Sequence, residues 1–454
     1  MIFSLDIRRA GKGDCLILHF GTKKRPGLIL IDGGPKAVYA PHLKPRLLSI
    51  RKARSLKRED SLPVDVLMVS HVDDDHIQGI LDLTKEEIAN ADARQPKLFN
   101  VHSLWHNSFD EIIGSAPANL TASMTAAFAA AAAGGVDLPD DKVESIEDIF
   151  LDGRAGSDDE GREEVNSALK VLASISQGYR LRKDAERLEY PRNAEFDDAL
   201  IVAAPGMQPK SIAGSLQATI IGPTKDEILA LHSKHQEWLE KLKKEGKTPE
   251  EALAAYVDRS VTNLSSIVVL MKLDGKTMLL TGDARGDKIL TGLQQAGLLD
   301  PGDDSTMEID LLKVPHHGSS NNLDRDFFER IIARHYVFSG DGKHGNPERE
   351  TMEMLWKARG DTQYEVHLTY PLKSIDEERE KDWNKERNKE TARKKKKGTG
   401  DVREKWSPAA HGLVAFFDEH PLFRKKLRIN EDDKPHVIDL ADRLADIWPT
   451  LAEA

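Results

Sequence analysis

The chain has 454 residues, of which 39% are hydrophobic and 31% are charged, and its net charge is −11. This length is more than one hydrophobic core usually supports, so we expect one large elaborated domain or two smaller ones. The composition is typical of a soluble globular protein and excludes a uniformly basic surface that coats nucleic acid, and no apolar run reaches the roughly 20 residues of a membrane helix.

The N-terminal sequence indicates the cellular compartment, and the number of cysteines restricts which side chains can bind a metal ion. The opening segment MIFSLDIRRAGKGD has charged residues where a signal peptide has its apolar region, which predicts a cytoplasmic protein without membrane attachment. Cys15 is the only cysteine, so an internal disulfide and a zinc site of several thiolates are excluded. Any metal ion must be held by His, Asp and Glu side chains.

Apolar and β-branched runs predict strands in the first quarter of the chain. In order, they are IFSLDI, DCLILHF, GLILIDGG and VDVLMVSHVDDDH. The last two have continuous apolar residues, which indicates strands buried on both faces. Each of these two is followed by acidic residues, Asp32 in the first case, and ligands gather at such strand ends in layered α/β folds.

The amino-acid composition changes in the middle of the chain. Residues 107–213 are rich in alanine and in mixed helical patterns, and we predict a mostly helical insertion between strands. A strand, LQATIIGP, and a helix, DEILALHSKHQEWLEKLKKEG, follow. The segment SSIVVLMKLDGKTMLLTGDA is predicted to be a hairpin that turns at Asp274 and Gly275 and brings Asp283 to the end of its second strand.

Two further strands are predicted to end in histidines. DLLKVPHHGSS ends at His316 and His317, and HYVFSGDGKHGNP carries His344. Residues 375–405 are dense in both charges and low in apolar residues, so we expect a solvated helix or a mobile loop there. HGLVAFFDE then predicts a strand, which makes the charged run an insertion.

The stretch SHVDDDHIQG contains the densest group of candidate metal ligands, and it could hold one ion, hold two, or be a polar turn. In a loop, His71 and Asp73 project together, whereas Asp75 and His76 diverge, so one segment can serve two neighbouring ions. Asp283 is the candidate bridge between the ions. A pair of ions roughly 3.5 to 4 Å apart activates water and stabilises the attacking and leaving oxygens of a phosphoryl or acyl group.

These motifs together resemble metallo-β-lactamase fold hydrolases. SHVDDDHIQGI resembles their H-x-[HD]-x-D-H signature, and GKGDCLILHF, LILIDGG, the hairpin, DLLKVPHHGSS and GKHGNP follow in the order found in a subgroup. That subgroup includes the hydrolase domain of bacterial competence DNA-uptake channel proteins. The resemblance implies an α/β fold, a four-layered αββα sandwich, formed by residues 1–106, 214–374 and a C-terminal strand and helix in 406–454. The insertions at 107–213 and 375–405 lie outside it.

The resemblance also implies roles for individual residues. One metal ion is assigned to His71 and Asp73 and the other to Asp75 and His76, bridged by Asp283. Of the adjacent histidines, His317 is the favoured ligand of the second ion and His316 the rival. The expected roles of the remaining residues are catalysis for Asp75, His316 and His344, and support of the ligands from behind for Asp32 and Asn263.

The chain departs from the family pattern at one position. Many members have a histidine in the loop before the hairpin, where this chain has the segment TNLS. Asn263 could supply an oxygen ligand there, or His102 or His106 could reach the site, although both histidines are more typical of structural positions. Without a third nitrogen ligand the first ion is held weakly, which leaves zinc and manganese open as the two divalent ions.

The resemblance implies hydrolysis of a phosphoester, in a DNA nuclease or a nucleotide phosphodiesterase. Ser319, Lys394 and Lys395 are the candidate substrate contacts, although a lysine run is usually solvated surface. Since the fold also hosts other hydrolases, a small-molecule ester or phosphocholine-type hydrolase and a catalytically silent scaffold remain alternatives. Protein partners bound through the insertions are also open.

Overall fold

The computed structural model describes residues 1–108, 177–229, 266–302, 304–397, 400–432 and 434–451. Over these residues the chain is a mixed α/β protein with a six-stranded sheet, an eight-stranded sheet and a small two-stranded sheet. The strands are β1 Ile2–Ile7, β2 Leu16–Thr22, β3 Arg25–Ile31, β4 Leu62–Val64, β5 Val66–Met68, β6 Phe99–Val101, β7 Leu104–Trp105, β8 Lys210–Ile212, β9 Leu216–Gly222, β10 Val268–Leu273, β11 Lys276–Leu280, β12 Met307–Lys313, β13 Ile331–Phe338, β14 Glu365–Leu368, β15 Leu427–Ile429 and β16 His436–Asp439.

The helices connect and cover these strands. Those labelled below are α1 Lys44–Ala53, α2 Asp74–Asp92, α3 at 177–188, α4 Gly286–Gln295, α5 Arg325–Arg330, α6 Arg349–Arg359, α7 Leu372–Lys397, α8 Pro408–His411, α9 Leu413–Glu419, α10 Pro421–Arg424 and α11 Leu444–Ile447. Residues 225–229 are also helical. Among the described helices, none combines the length and the apolar composition needed to span a bilayer.

The strand order brings distant parts of the chain together. The six-stranded sheet has the order β16-β1-β2-β3-β5-β7, and the eight-stranded sheet has the order β15-β14-β13-β12-β11-β10-β9-β8. β3, β5 and β7 are parallel neighbours, as are β11 to β15. The parallel strands of each sheet therefore end at a common edge, and their following loops meet there.

Three apolar clusters hold these layers. One lies between the two large sheets and includes Leu18 and Ile29 from one sheet and Val269 and Leu311 from the other. A second packs α1 and α2 on the six-stranded sheet, and a third packs α4, α5, α6 and α9 on the eight-stranded sheet. Each fully buried aliphatic or phenylalanine side chain contributes about 1.5–3 kcal/mol relative to exposure.

Most of the predicted strands are confirmed. β3 and β5 are buried on both faces, as their continuous apolar sequence indicates. The predicted hairpin is β10 and β11, and its turn has φ values of 49° at Asp274 and 77° at Gly275. Positive φ at both central residues is the geometry that an Asp-Gly turn favours.

Two expectations differ from the structure, whereas the charged run forms the helix that was one of its two expected structures. HGLVAFFDE is not a strand, because α9 buries Leu413, Phe416 and Phe417 on one helical face against the eight-stranded sheet. The charged run is mostly helix α7, where pairs such as Glu378 with Lys381 form three residues apart. β8 lies inside the insertion predicted at 107–213, and residues 109–176 of that insertion lie outside the described residues.

Candidate metal centre

The SHVDDDHIQG motif spans the end of a strand and the start of a helix. β5 is followed by a loop at 70–73, and α2 begins directly after it. His71 lies in the loop, whereas Asp75 and His76 lie in the first turn of α2, so the prediction of a loop is wrong for the second half of the motif. Carboxylates in a first turn are favoured by the helix dipole, which explains why a helix starts at this acidic sequence.

Asp283 lies among four histidines. Its Oδ1 atom is 3.3 Å from Nε2 of His76 and 3.4 Å from Nε2 of His317. Its Oδ2 atom is 3.6 Å from Nε2 of His316 and 3.8 Å from Nε2 of His71. Ligand atoms that share a tetrahedral zinc ion lie about 3.3 Å apart, given bonds of 2.0–2.2 Å. Each carboxylate oxygen therefore faces its own pair of imidazoles.

The turn after β12 brings two adjacent histidines to Asp283. His316 has a φ of 48° and His317 a φ of 55°, so both residues are in the left-handed region. The backbone N–H of His316 donates to the carbonyl of Gly282 over 3.1 Å, which ties this turn to the loop after β11. Consecutive left-handed residues other than glycine are uncommon, and here they allow both rings to lie beside one carboxylate.

Asp14, which the sequence analysis did not select, belongs to the same centre. One ligand atom from each of Asp14, His76, Asp283 and His317 lies within 4.8 Å of the others, and all four residues are buried. Asp14 precedes β2, so it reaches the centre from a strand of the six-stranded sheet. The available signal was a carboxylate in GKGDCLILHF, directly before an apolar strand.

The contacts of Asp14 indicate that it positions His317. Its Oδ2 atom lies 2.8 Å from the buried ammonium of Lys313, and its Oδ1 accepts a hydrogen bond from the hydroxyl of Ser339. The Ser339 hydroxyl is also 3.1 Å from Nδ1 of His317. Burial opposes ionisation of Asp14, but Lys313 and His317 hold its pKa well below the usual value. Asp14 is therefore a fixed anion behind the ring of His317.

Asp32, which was expected to support the candidate ligands, contacts His76 and Ser70. Its Oδ2 atom accepts from Nδ1 of His76 over 2.8 Å and from the hydroxyl of Ser70 over 2.7 Å, and its Oδ1 accepts from the backbone N–H of Ser70 over 2.7 Å. Such contacts fix the tautomer and the orientation of a metal-binding imidazole. The Nε2 atom of His76 is left facing Asp283.

Among the described residues, the buried atoms that converge at the centre have no hydrogen-bond partners. They are Nε2 of His71, His76 and His317 and Oδ1 of Asp283. A buried polar atom without a partner costs about 1–3 kcal/mol, so a ligand that contacts all of these atoms would offset a substantial cost. Nitrogen and carboxylate oxygen are the donors that zinc and manganese accept, so this set is suited to a divalent cation.

The electrostatics of the centre also favour a cation. Burial opposes ionisation of Asp283, but the neighbouring His317 and His76 imidazoles hold its pKa well below the usual value. Burial likewise opposes protonation of His76, but Asp283 and Asp32 raise its pKa well above the usual value. The carboxylates thus stabilise positive charge at this point, whether it is carried by protons or by metal ions.

Asp73 and Asp75 lie at the more exposed side of the centre. Asp73 has an oxygen 3.7 Å from Nε2 of His71, and 29% of its side chain is exposed. The carboxylate of Asp75 lies 3.7 Å from the ammonium of Lys12, and its backbone carbonyl accepts from the N–H of Asp14 over 3.3 Å. Burial opposes ionisation of Asp75, but His76 and Lys12 lower its pKa. Asp75 is therefore an anion beside the proposed ligands.

The remaining predicted residues lie farther out. His344 is exposed, and its backbone N–H donates to Asp382 of α7. Ser319 is buried, with its hydroxyl 3.4 Å from Oε1 of Glu348. Lys394 and Lys395 are exposed on α7.

Three residues were considered as replacements for the histidine that this chain lacks before the hairpin, and the structure does not place any of them at the centre. His102 lies away from the centre, beside Asp65, and 54% of its side chain is exposed. His106 is buried next to Gly178 of α3. Asn263 lies outside the described residues. The structure instead places His316 near Oδ2 of Asp283, on the side where His71 lies.

Comparison with known proteins gives a partial match. No family model matches the chain. Microtubule-associated protein 1A of Rattus norvegicus is 28% identical over 140 residues, which cover 30% of this chain and 5% of that protein. The protein of the same name from Mus musculus matches with the same identity and coverage. Because the match spans about a twentieth of these relatives, it assigns neither a family nor an activity to the chain.

Proposed function

We propose that this protein is a metal-dependent hydrolase of phosphoester bonds, acting as a nuclease on DNA or as a phosphodiesterase on nucleotides. The observation that carries the proposal is the position of Asp283, with His76 and His317 at one carboxylate oxygen and His71 and His316 at the other. One carboxylate between two sets of imidazoles is suited to bridging two divalent ions, as the resemblance to metallo-β-lactamase fold hydrolases implies.

The four-layered αββα sandwich of that family is part of the proposal. Apolar side chains fill the space between the two large sheets, and helices pack on the outer face of each. The candidate ligands follow β5, β11 and β12 and meet at one end of the strands, where layered α/β folds bind their ligands. Both features support this fold.

The proposed roles follow from the contacts. Zinc or manganese would be held by His76, His317 and Asp283 at one position, and by His71, His316 and Asp283 at the other. His316 thus replaces the histidine that the sequence lacks before the hairpin. When bound, such ions supply Lewis acidity that activates water and neutralises charge on the phosphate oxygens.

Residues around the ligands have separate tasks. Asp32 and Asp14 keep the rings of His76 and His317 in place through the hydrogen bonds described above. Asp75, an anion beside Lys12, orients the attacking water. We assign protonation of the leaving oxygen to His344, which is exposed, and its loop is tied to His316 by a hydrogen bond from Asn346 to the His316 carbonyl over 3.2 Å.

The position of helix α7 is an argument for a polyanionic substrate. It contacts the His344 loop through Asp382 and through Arg379, whose Nε donates to the carbonyl of Gly345 over 3.0 Å. Lys394 and Lys395 are exposed about 18 Å farther along the same helix, given a rise of 1.5 Å per residue. We expect a nucleic acid strand bound at the centre to contact these lysines, and a mononucleotide not to contact them.

The test is cleavage of linear, circular and single-stranded DNA and of a small phosphodiester, with zinc or manganese added to metal-stripped protein. We expect Asp283→Asn to abolish cleavage of every substrate. The double variant Lys394→Glu/Lys395→Glu is expected to weaken DNA cleavage in a salt-dependent manner and to leave the small diester unaffected. Lys23→Glu/Lys24→Glu is the matched control, because both lysines are exposed at the opposite end of β2 from Asp14. Equal cleavage by the parent and Asp283→Asn would contradict the proposal.

A further inference from the structure

A second group of metal-binding side chains lies away from the centre around Asp283. Among the described residues, His335, Glu365 and His367 each offer one ligand atom, and these atoms lie within 4.8 Å of one another. His335 is on β13, four residues before Ser339, so the group is about 13 Å along the strand from the first centre. The two groups share no residue.

The strand register explains why these three side chains meet. His335 is directly opposite Glu365 in the parallel pair of β13 and β14. Glu365 and His367 are two residues apart on β14, so their side chains lie on the same face of the sheet. The apolar residues Val366 and Leu368 between and after them belong to the cluster on the opposite, helix-covered face. The alternation therefore directs all three polar side chains to the side of the other sheet.

The distances between the three ligand atoms approach those around a single ion. Nδ1 of His335 is 3.1 Å from Nε2 of His367. Oε2 of Glu365 is 3.4 Å from Nδ1 of His335 and 3.6 Å from Nε2 of His367. A tetrahedral zinc site with bonds of 2.0–2.2 Å has ligand atoms about 3.3 Å apart. A hydrogen bond between the two imidazoles accounts for the first distance only, and not for the carboxylate oxygen that faces both rings.

Outer contacts hold two of these side chains in place. The other oxygen of Glu365 pairs with the guanidinium of Arg428 on β15. The other ring nitrogen of His367 is 2.9 Å from Nε2 of His436, which lies on β16 of the six-stranded sheet. Metal-binding carboxylates and imidazoles characteristically have such second partners, which fix their orientation.

We propose that His335, Glu365 and His367 form a second metal site, of the zinc type, at the edge of the two large sheets. The three protein ligands leave a fourth position for water, since 34% of the Glu365 side chain and 22% of the His335 side chain are exposed. An ion here joins β13 to β14, and the contact of His367 with His436 extends this link to the six-stranded sheet. The site is structural and does not depend on the proposed hydrolase activity.

The experiment is metal binding to the full chain after metal removal, with zinc followed by metal analysis and cobalt followed by its visible absorption. In an Asp283→Asn background, which weakens the first centre, we expect zinc to remain bound and to raise the midpoint of thermal unfolding. Adding Glu365→Gln is expected to lower the affinity of the remaining ion at least about tenfold and to abolish the increase in the midpoint. His335→Asn is the second variant, because it removes a different ligand from the same site.

Two controls separate loss of the site from loss of the fold. Glu308→Gln removes an exposed carboxylate from neighbouring β12, and His102→Asn removes an exposed histidine, so neither should change binding. If the Asp283→Asn protein binds zinc equally well with and without Glu365→Gln and His335→Asn, the second site does not exist. Failure of the hydrolase proposal instead appears as cleavage by Asp283→Asn, and the two results are independent.

Discussion

Nδ1 of His76 donates a hydrogen bond to Oδ2 of Asp32 over 2.8 Å, and both side chains are buried. The direction of this bond follows from chemistry, because an ionised carboxylate can only accept. With its proton on Nδ1, His76 would offer the lone pair of Nε2 to a metal ion at the proposed position beside Asp283. The behaviour of the centre should therefore depend on a residue that touches no ion.

Asp32→Asn is expected to weaken metal binding about 10- to 100-fold while the fold is retained. Asp32 has a φ of 56°, and asparagine accepts this left-handed backbone well, so the substitution tests the carboxylate and not the turn. The measurement is the dissociation constant for zinc, with circular dichroism to verify folding. Unchanged affinity would show that Asp32 has no part in orienting His76.

The two adjacent histidines should be distinguishable by substitution with asparagine, which also tolerates their positive φ. His317→Asn is expected to empty the position at Oδ1 of Asp283, and His316→Asn the position at Oδ2. Because His76 and His71 remain, each variant should lose about one equivalent of metal and keep the other. Metal analysis after gel filtration measures this, and loss of both ions from His316→Asn alone would contradict separate positions.

Helix α2 and the loop after β3 approach so closely that both need glycine. An added Cβ on Gly79 would lie 1.9 Å from the carbonyl oxygen of Gly33. Alanine improves helix propensity by about 1 kcal/mol, but overpacking costs about 1–3 kcal/mol, so Gly79→Ala should be destabilising overall. It should also weaken metal binding, because α2 carries His76 and the loop carries Asp32.

Gly302→Ala is the matched control, since an added Cβ at Gly302 has no atom of the described residues within 4 Å. We expect its unfolding free energy to be within about 0.5 kcal/mol of the parent. Urea unfolding of metal-stripped and zinc-loaded protein measures both effects. A Gly79→Ala protein as stable as the parent would show that the helix and the loop can separate without cost.

A buried ion pair between Asp6 of β1 and Arg46 of α1 predicts how the free energy of unfolding changes in acid. Asp6 and Arg46 are both fully buried and hydrogen-bonded, and although burial opposes ionisation, Arg46 lowers the pKa of Asp6. Removing one charge of such a pair costs about 3–5 kcal/mol, so Asp6→Asn should be strongly destabilised at pH 7. The lowered pKa means that this contribution is complete above the unfolded-state value of about 3.9 and is lost as the pH falls below it.

The difference in unfolding free energy between the parent and Asp6→Asn should therefore be constant from pH 7 to pH 5 and smaller at pH 3. Urea unfolding of metal-stripped protein at these three values is the measurement, because acid also releases metal ions. A difference that stays constant down to pH 3 would show that folding does not lower the pKa of Asp6.

Local sequence predicted most of the strands and pointed to several of the candidate ligands because the signals of both are contiguous. The apolar runs before Asp32, His71 and Asp283 identify buried strands, and the polar residues that follow these strands lie close together. The prediction of a strand at HGLVAFFDE was wrong because a short apolar run is compatible with both a strand and a helix. Only tertiary packing decides between the two.

Other features depend on contacts that no local pattern encodes. Asp14 is 269 residues from Asp283 in sequence, and its role becomes visible only when Lys313 and Ser339 lie beside it. The position of His316 beside Oδ2 of Asp283 depends on two left-handed residues in a turn. The pairing of β16 with β1 likewise follows from the whole topology, and not from either sequence.

That last pairing has a consequence for synthesis on the ribosome. Of the described strands, β1 comes earliest in the chain, but its outer edge is covered by β16, which is made more than four hundred residues later. Until then the nascent chain presents an apolar strand with an open row of N–H and C=O groups, the kind of edge that recruits other chains. Ribosome stalling or premature termination before residue 436 would therefore leave a fragment prone to self-association.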